Sequence, residues 1–594
     1  MKISRARASR LAFVALLLAG AAVPALGQQD SPESLLPPGF DQPAAPAPTP
    51  APSRPADGAT PPPIAAVPLP DLELGNATEL SNTQEAAEPV DLSQYELPDY
   101  AKHSLARVGA FAAGNAAFPA NAFGATDGRV LRTLLRRLDA PVASRWASIV
   151  LRRALMSPLD TPTNINGADF AAERAWVLLR MGEATAARAV VNDVDTDNYT
   201  TMLYLIAMQT GLATGDPGAF CPLADAAAPI IHQRGWALAQ AMCMGLAGKP
   251  AEAGQLLSAA RQGTSASDID NLLAEKIVGT GAQGRRAVTI EWNSVDRLTA
   301  WRWGLATATG VEVPNELYAT AGPQVRYWQA LSPSIAPAAR AQAAELAATA
   351  GVFSNAGLVD LYGDIDADSE ATGPEANTAR DLRTAYTDGD ATSRVKAIQG
   401  LWDEAKTPRT QYARLILTAR AASWIPAGTN VSAPERLIAS MLSAGYDGPA
   451  MEWRGVVKPG SEGWALLALA DQATSPVALA NFETYRSAVT PRKAQMLLAG
   501  LAGLGRLAGA DAERGAQAAD VRIGGVNAWT SAIDAAGRRG DPGMVALLAA
   551  VGMQAPNWDY VTPEALFHIV AAMRAAGMGN YARMIAVEAV TRTA

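Results

Sequence analysis

Apolar and polar positions alternate in this chain with a period that suits paired helices, and the pattern is clearest between Ala175 and Ala260. Three apolar runs, Trp176–Leu179, Leu203–Leu212 and Trp236–Leu246, each close on a glycine, and Gly182, Gly215 and Gly248 stand 33 residues apart. An Ala-rich run opens after each glycine, with a small residue five places on at Ala187 and Ala253 but Phe220 at the middle position. A helix, a glycine turn and a second helix cannot bury an apolar stripe alone, so such units must stack on copies of themselves. The same habit, with a drifting period, runs through Trp464–Ala470, Ala494–Leu504, Trp529–Ala536 and Leu566–Ala576. Upstream, Val130, Leu131, Leu134, Leu135 and Leu138 form one stripe after Asp127-Gly128. Asp139 and Pro141 suit the start of the next helix, with Trp146, Ile149, Val150 and Ala154 facing inward. The helix Tyr581–Val590 is expected to cap the array.

The spacing of large and small apolar residues, the turn glycines and the alanines at 187 and 253 resemble the tetratricopeptide-repeat family over about 100 residues, with Phe220 as a departure. The resemblance implies an all-α solenoid of helical hairpins with a concave side for peptides or proteins, and it brings no catalytic residue with it. A composition change near 363–377 predicts two helical lobes, 101–363 and 378–594.

The first 27 residues have four basic residues, an apolar run from Leu11 to Val23 and a small-residue end at Ala25-Leu26-Gly27. They read as a secretory signal cut near Gly27-Gln28, with an uncleaved anchor as the alternative. No Cys follows the run, which argues against a lipid anchor, and no later stretch is long enough to span a bilayer. Residues 31–70 hold 14 prolines, which cannot support a helix ladder, so the segment is expected to be extended and without regular structure. At about 3.1 Å per residue, 40 such residues reach roughly 120 Å. The acids continue to Asp99, giving a linker over 28–100 with 12 Asp and Glu against Arg54 alone.

That partition explains the net charge of −8, because the body beyond residue 100 is close to neutral. A near-neutral body lacks the broad basic surface that nucleic-acid binding needs, and nucleic acid is excluded as a partner. Arg129, Arg132, Arg136, Arg137, Arg145, Arg152 and Arg153 oppose only Asp127 and Asp139 locally, and read as a solvated face able to receive the acidic linker or an anionic wall polymer.

Cys221 and Cys243 are the two cysteines, and in an exported chain they form either a disulfide or a pair of buried thiols. Neighbouring segments of the repeat favour the disulfide. Arg285, Arg286, Trp292, Arg297, Trp301 and Trp303 bring arginine and indole into one stretch, the chemistry of interface anchors, while Leu298, Trp301 and Leu305 also keep core spacing. Asp364, Asp366, Asp368 and Glu375 match a calcium loop at places 1, 3, 5 and 12, but Ser369 replaces the turn glycine, and a solvated acidic loop is the preferred reading. Gly279-Thr-Gly281-Ala-Gln-Gly284 has the letters of a dinucleotide fingerprint, but a helical run precedes it where a strand is needed. Gly281 falls 33 residues past Gly248, in step with the turn glycines, and no cofactor is expected.

Three histidines, His103, His232 and His568, stand in unrelated segments, and no nucleophile elbow or phosphate loop occurs, so no catalytic residue is assigned. The expected function is a non-enzymatic periplasmic or secreted scaffold that binds envelope proteins or peptides. The alternative is a helical enzyme or binding module acting on wall glycan, similar to the superhelical portion of soluble lytic transglycosylases.

Overall fold

The computed structural model describes residues 98–594 apart from 112–116, 264, 266–267, 282–287, 474 and 594. The stretch that reads as a secretory signal and almost all of the stretch 28–100 that reads as a linker lie outside the described residues. The described residues from His103 onward belong to one compact unit, and Asp99–Ala101, in the other, form a 3-10 turn.

The unit is helical almost throughout. In chain order the helices are α1 Gly128–Arg137, α2 Arg145–Met156, α3 Gly167–Arg180, α4 Ala184–Asn192, α5 Thr201–Ala213, α6 Cys221–Ala227, α7 Arg234–Leu246, α8 Pro250–Ala260 and α9 Ile269–Gly281. Then come α10 Ala300–Ala308, α11 Gln324–Leu331, α12 Pro337–Thr349, α13 Asn355–Ala367, α14 Pro374–Thr387, α15 Ala391–Glu404, α16 Pro408–Ala422, α17 Pro434–Ser443 and α18 Asp447–Met451. The chain ends with α19 Glu462–Ala470, α20 Leu479–Ala488, α21 Pro491–Gly503, α22 Gly509–Ala518, α23 Ala528–Arg539, α24 Pro542–Gly552, α25 Pro563–Ala575 and α26 Gly579–Arg592. A two-residue antiparallel ladder pairs β1 (Arg107–Val108) with β2 (Leu159–Asp160), setting Arg107 opposite Asp160.

The three glycines of the repeat end their helices in one way. Gly182, Gly215 and Gly248 all have positive φ, where a side chain would be strained. The amide of each glycine, and that of the residue after it, bonds back into the last turn: Gly182 to Leu179 and Glu183 to Leu178, Gly215 to Leu212 and Asp216 to Gly211, Gly248 to Gly245 and Lys249 to Met244. This paired closure satisfies carbonyls that a helix end otherwise leaves open. The same closure recurs at Gly445, Gly505, Gly540 and Gly577, so the drifting repeat keeps its terminator. Consecutive helices pair as hairpins, among them α3 with α4, α7 with α8, α14 with α15 and α16 with α17, and hairpins stack through α3 with α5 and α7 with α9. Phe220 departs from the small-residue rule without opening a gap. It is fully buried, and a Cβ on Gly211 would lie 2.4 Å from its ring, so the glycine across the interface supplies the room.

Gly281 is a correction. It is the last residue of α9, not a turn glycine, and a Cβ there would fall 1.9 Å from the Gly245 carbonyl oxygen. The residue is small because α9 crosses α7 at backbone contact. Gly279 shares that helix, while Gly284 lies outside the described residues.

Three other expectations need revision. α2 begins at Arg145 with Ser144 as its N-cap, not at Asp139, and Trp146 and Ile149 are only half-buried on it. The lobe boundary over 363–378 falls between α13 and α14, which pack together, and a satellite core from Tyr327 to Leu417 draws residues from both sides of it. Finally, α26 does not cap the array. Ile585, Ala586, Glu588, Ala589 and Val590 are buried on it, and it packs on α2, α17, α19, α21 and α25. The closing turns return to the beginning: α24 and α26 both pack on α2, Ala143 N–H donates to Met553 O at 2.9 Å, and Gly543 N–H to Ala122 O at 2.9 Å.

A buried ionic group fastens that return. The Glu588 carboxylate accepts from Ser144 Oγ at 2.6 Å, from the amides of Arg145 at 2.9 Å and Trp146 at 3.2 Å, and from Arg592 Nη1 at 2.7 Å. An anion at the start of α2 is where the helix dipole and the open amides favour it. Arg145, buried with its charge disfavoured by desolvation, donates to the carbonyl of Ala348 in the last turn of α12 and to that of Phe353 just past its end.

The arginine-rich start of the body is therefore not one solvated face. Arg132 and Arg136 reach Glu173, Arg152 reaches Glu183 at 2.6 Å, and Arg153 meets Tyr581. Arg174 and Arg180 on α3 repeat the role of Arg145. Arg174 donates to Leu155 O and Ser157 O, both at 3.0 Å, and Arg180 to Leu135 O at 2.6 Å and to Leu138 O, so one helix supplies donors to the open carbonyl ends of two others.

Cys221 and Cys243 are bonded, S–S 2.09 Å, joining α6 to α7. A thiol-specific reagent should leave the denatured, unreduced protein unlabelled and should label two sites after reduction; two labels before reduction would show the bond absent in solution.

Candidate ligand-binding cleft

A cleft of about 300 Å³ opens between α18 with the turn after it and the end of α19, lined by Asp447, Gly448, Met451, Arg454, Ala470, Asp471 and Gln472. Each wall has a local cause. α17 ends on Gly445 at positive φ, where a Cβ would press on the Trp146 indole at 3.1 Å, and the reversal sets Tyr446 and Asp447. Tyr446 is pinned by its hydroxyl to Asn355 Oδ1 at 3.2 Å. The 3-10 turn Glu452–Gly455 then buries Trp453 and turns Arg454 outward, its side chain 61% exposed. On the other wall Asp471 follows α19 as its C-cap, and Oδ1 accepts from Ala473 N at 2.9 Å.

Two polar contacts cross between the walls. Arg454 Nη2 donates to Asp471 Oδ2 at 2.6 Å, and Gln472 Nε2 to Asp447 Oδ2 at 3.2 Å. Two further arginines stand behind the carboxylates. Arg583 of α26 reaches Asp447 Oδ2 at 3.3 Å. Arg506 lies 3.7 Å from Asp471 and donates to the carbonyls of Asp471, Ala473 and Ser475, which fixes the loop after α19. Burial lowers the Arg506 guanidinium and Asp471 opposes that shift.

A second surface feature, which shares no residue with the lining of the cleft, is aromatic. Trp424, just past α16, is 49% exposed, yet its indole meets the Tyr386 ring edge-to-face at 5.2 Å and the Arg420 guanidinium at 5.6 Å. Burial holds the Tyr386 phenol up at about 12, with Tyr446 close enough to add to the shift. The large indole is thus exposed and braced at once.

The residues singled out along the sequence are placed differently. Trp301 and Trp303 are fully buried in α10, Trp301 donating its Nε1 to Asp270 O at 3.2 Å, so these indoles are core and present no binding surface. Trp292 is half-buried, Arg297 is exposed, and Arg285 and Arg286 lie outside the described residues. Arg302, absent from that set, forms the ion pair of the region, with both Asp270 oxygens at 2.9 and 3.0 Å. Asp364 and Asp366 sit within α13 and Asp368 at its C-cap, while Glu375 is in the first turn of α14. Helical spacing spreads these carboxylates instead of converging them: Asp366 pairs with Arg383, Asp368 Oδ1 takes the Glu370 amide, and Glu375 accepts from Gln342. Among the described residues no group of three or more His, Cys, Asp or Glu is placed to hold a metal ion, and no helix is long and apolar enough to cross a membrane. His103 and His568 each meet a carboxylate, Asp195 and Asp534, while His232 is exposed.

Sequence reasoning passed over Trp424, Asp447, Arg454 and Asp471. The one local signal was a tryptophan standing beyond the last turn of a helical pattern, in Ser423-Trp424-Ile425-Pro426, where no apolar stripe continues. Comparison with protein-family models, with curated proteins and with solved structures finds no match for this chain.

Proposed function

We propose that this protein is a non-enzymatic scaffold of the bacterial cell envelope, exported to the periplasm or beyond, that holds a protein or peptide partner. The exposed Trp424, braced by Tyr386 and Arg420, is the observation that carries this reading. Tryptophan and arginine dominate interface hot spots because they bury a large area for little lost freedom, and a braced ring has less still to lose. The disulfide accords with an oxidising compartment. The tetratricopeptide resemblance and the paired, stacked helices supply a frame of the kind that holds such anchors apart at fixed distances.

Affinity capture from envelope extracts tests this. A partner held by the wild type should be bound at least about tenfold more weakly by Trp424→Ala, with the thermal midpoint unchanged, since the ring is half in solvent. Capture that ignores the substitution would remove Trp424 from the interface.

The second reading, an enzyme or binding module for wall glycan, draws on the two carboxylates of the cleft. Glycoside cleavage needs one carboxyl held protonated as the acid. Asp471 lies between two guanidinium groups and Asp447 beside a third, so each carboxylate is already engaged by cations of the protein itself. Digestion of peptidoglycan by the pure protein would overturn the scaffold reading in favour of this one.

A further inference from the structure

The lining of the cleft has an uneven chemistry: one cation, Arg454, and two anions, Asp447 and Asp471, with the Gln472 amide between them and Met451 and Ala470 as apolar surface. Both signs of charge in so small a volume suit a small ligand that itself carries both signs. A small molecule carrying an ammonium and a carboxylate is one, with the apolar surface left for a side chain. The contacts that now span the gap are cheap to exchange. Arg454 is mostly in solvent and Gln472 is exposed, and pairs in that setting contribute little to stability. The carboxylates themselves are firmly set. Arg583 and Arg506 stand behind them, Asp471 is further held by the Ala473 amide, and the loop is fastened by three carbonyl contacts to Arg506. Above Gly448, a Cβ would meet nothing within 4 Å, so one side of the entrance is open. The volume, about 300 Å³, is at the small end of ligand sites.

We infer that this cleft binds an α-amino zwitterion, a free amino acid or short peptide with both termini unblocked. Its carboxylate replaces Asp471 on Arg454, and its ammonium takes the place of Arg454 and Gln472 at the two aspartates. The ammonium gains charge-assisted contacts to held carboxylates, and the ligand carboxylate takes over the charge-assisted contact that Asp471 makes to Arg454. The lining shares no residue with the Trp424 group, and the inference does not depend on the partner-binding reading.

Calorimetric titration of the whole protein with the twenty free amino acids and with alanyl-alanine, its N-acetyl form and its C-terminal amide tests the assignment. Saturable binding of one or more zwitterions is expected, with loss of about tenfold or more when either terminus is blocked. Arg454→Met should abolish the discrimination against the amide, and Asp447→Asn should weaken the discrimination against the N-acetyl form, while Trp424→Ala leaves both in place. Preference for amino acids over the dipeptide, or the reverse, identifies which source fills the cleft. Equal binding of blocked and unblocked forms, or no saturable binding across the panel, overturns the inference. Because Arg454 is exposed, its variant should keep the wild-type thermal midpoint, so lost binding is read as lost recognition.

Discussion

Glu588→Ala is expected to destabilise the protein by about 3–5 kcal/mol, the range for breaking a buried ionic group by removing one partner. The carboxylate accepts from a hydroxyl, two backbone amides and a guanidinium, and the residue is 1% exposed. Its loss leaves the first amides of α2 without an acceptor and Arg592 facing Ala143 O and the Tyr412 ring with no anion. Glu588→Gln keeps an acceptor and should cost less. Chemical denaturation measures the total, and hydrogen exchange at the amides of Arg145 and Trp146 locates it. A change below about 1 kcal/mol, with those amides still protected, would show that apolar packing of α26 alone holds the return.

The second large effect is a dependence on pH. Glu183, buried at the turn between α3 and α4, is held up at about 7 by desolvation, against the opposing pull of Arg152 and Arg145. A carboxyl raised in the folded state binds its proton more tightly there than in the unfolded chain. Its stabilising contribution is therefore complete below about pH 4.5 and is lost as pH rises through about 7. A shift of this size corresponds to about 3 kcal/mol. Glu173, Asp270 and Glu345 are raised by burial too and act in the same direction as pH rises above the ordinary carboxyl range. Glu183→Gln isolates its share: the amide still accepts from Arg152, and the gap between variant and wild type should widen toward pH 8 in the variant's favour. Parallel pH profiles for the two proteins would contradict this assignment.

Local rules made most of the fold legible. Asp127, Gly182, Gly215 and Gly248 mark helix ends because capping is a matter of the nearest four residues, and the structure keeps each of them. Ala187 and Ala253 are buried as small contact residues should be. What local rules miss depends on a partner far along the chain. Glu588 and Ser144 are 444 residues apart, and nothing about a glutamate in an amphipathic helix announces that it will start another helix. The arginines of α1 and α2 look like a solvated face until the carboxylates and carbonyls they serve are known. Gly281 kept the 33-residue step by position, yet it answers to Gly245 across a helix crossing. The same holds at the cleft, where Arg583 is 136 residues from Asp447. Tryptophan content also misled, since Trp301 and Trp303 are buried in a helix with core spacing while Trp424 lies beyond the end of one.

The placement of α26 also bears on how the molecule is made. Synthesis proceeds from the amino end, so α2 exists for the time needed to add more than four hundred residues before the segment that covers it emerges. During that interval its apolar side and its first amides are open to chaperones and proteases. A product cut short before Gly579 could bring α24 onto α2 yet would leave the first amides of α2 without the Glu588 carboxylate, which gives a cell a simple way to tell such copies from full-length ones.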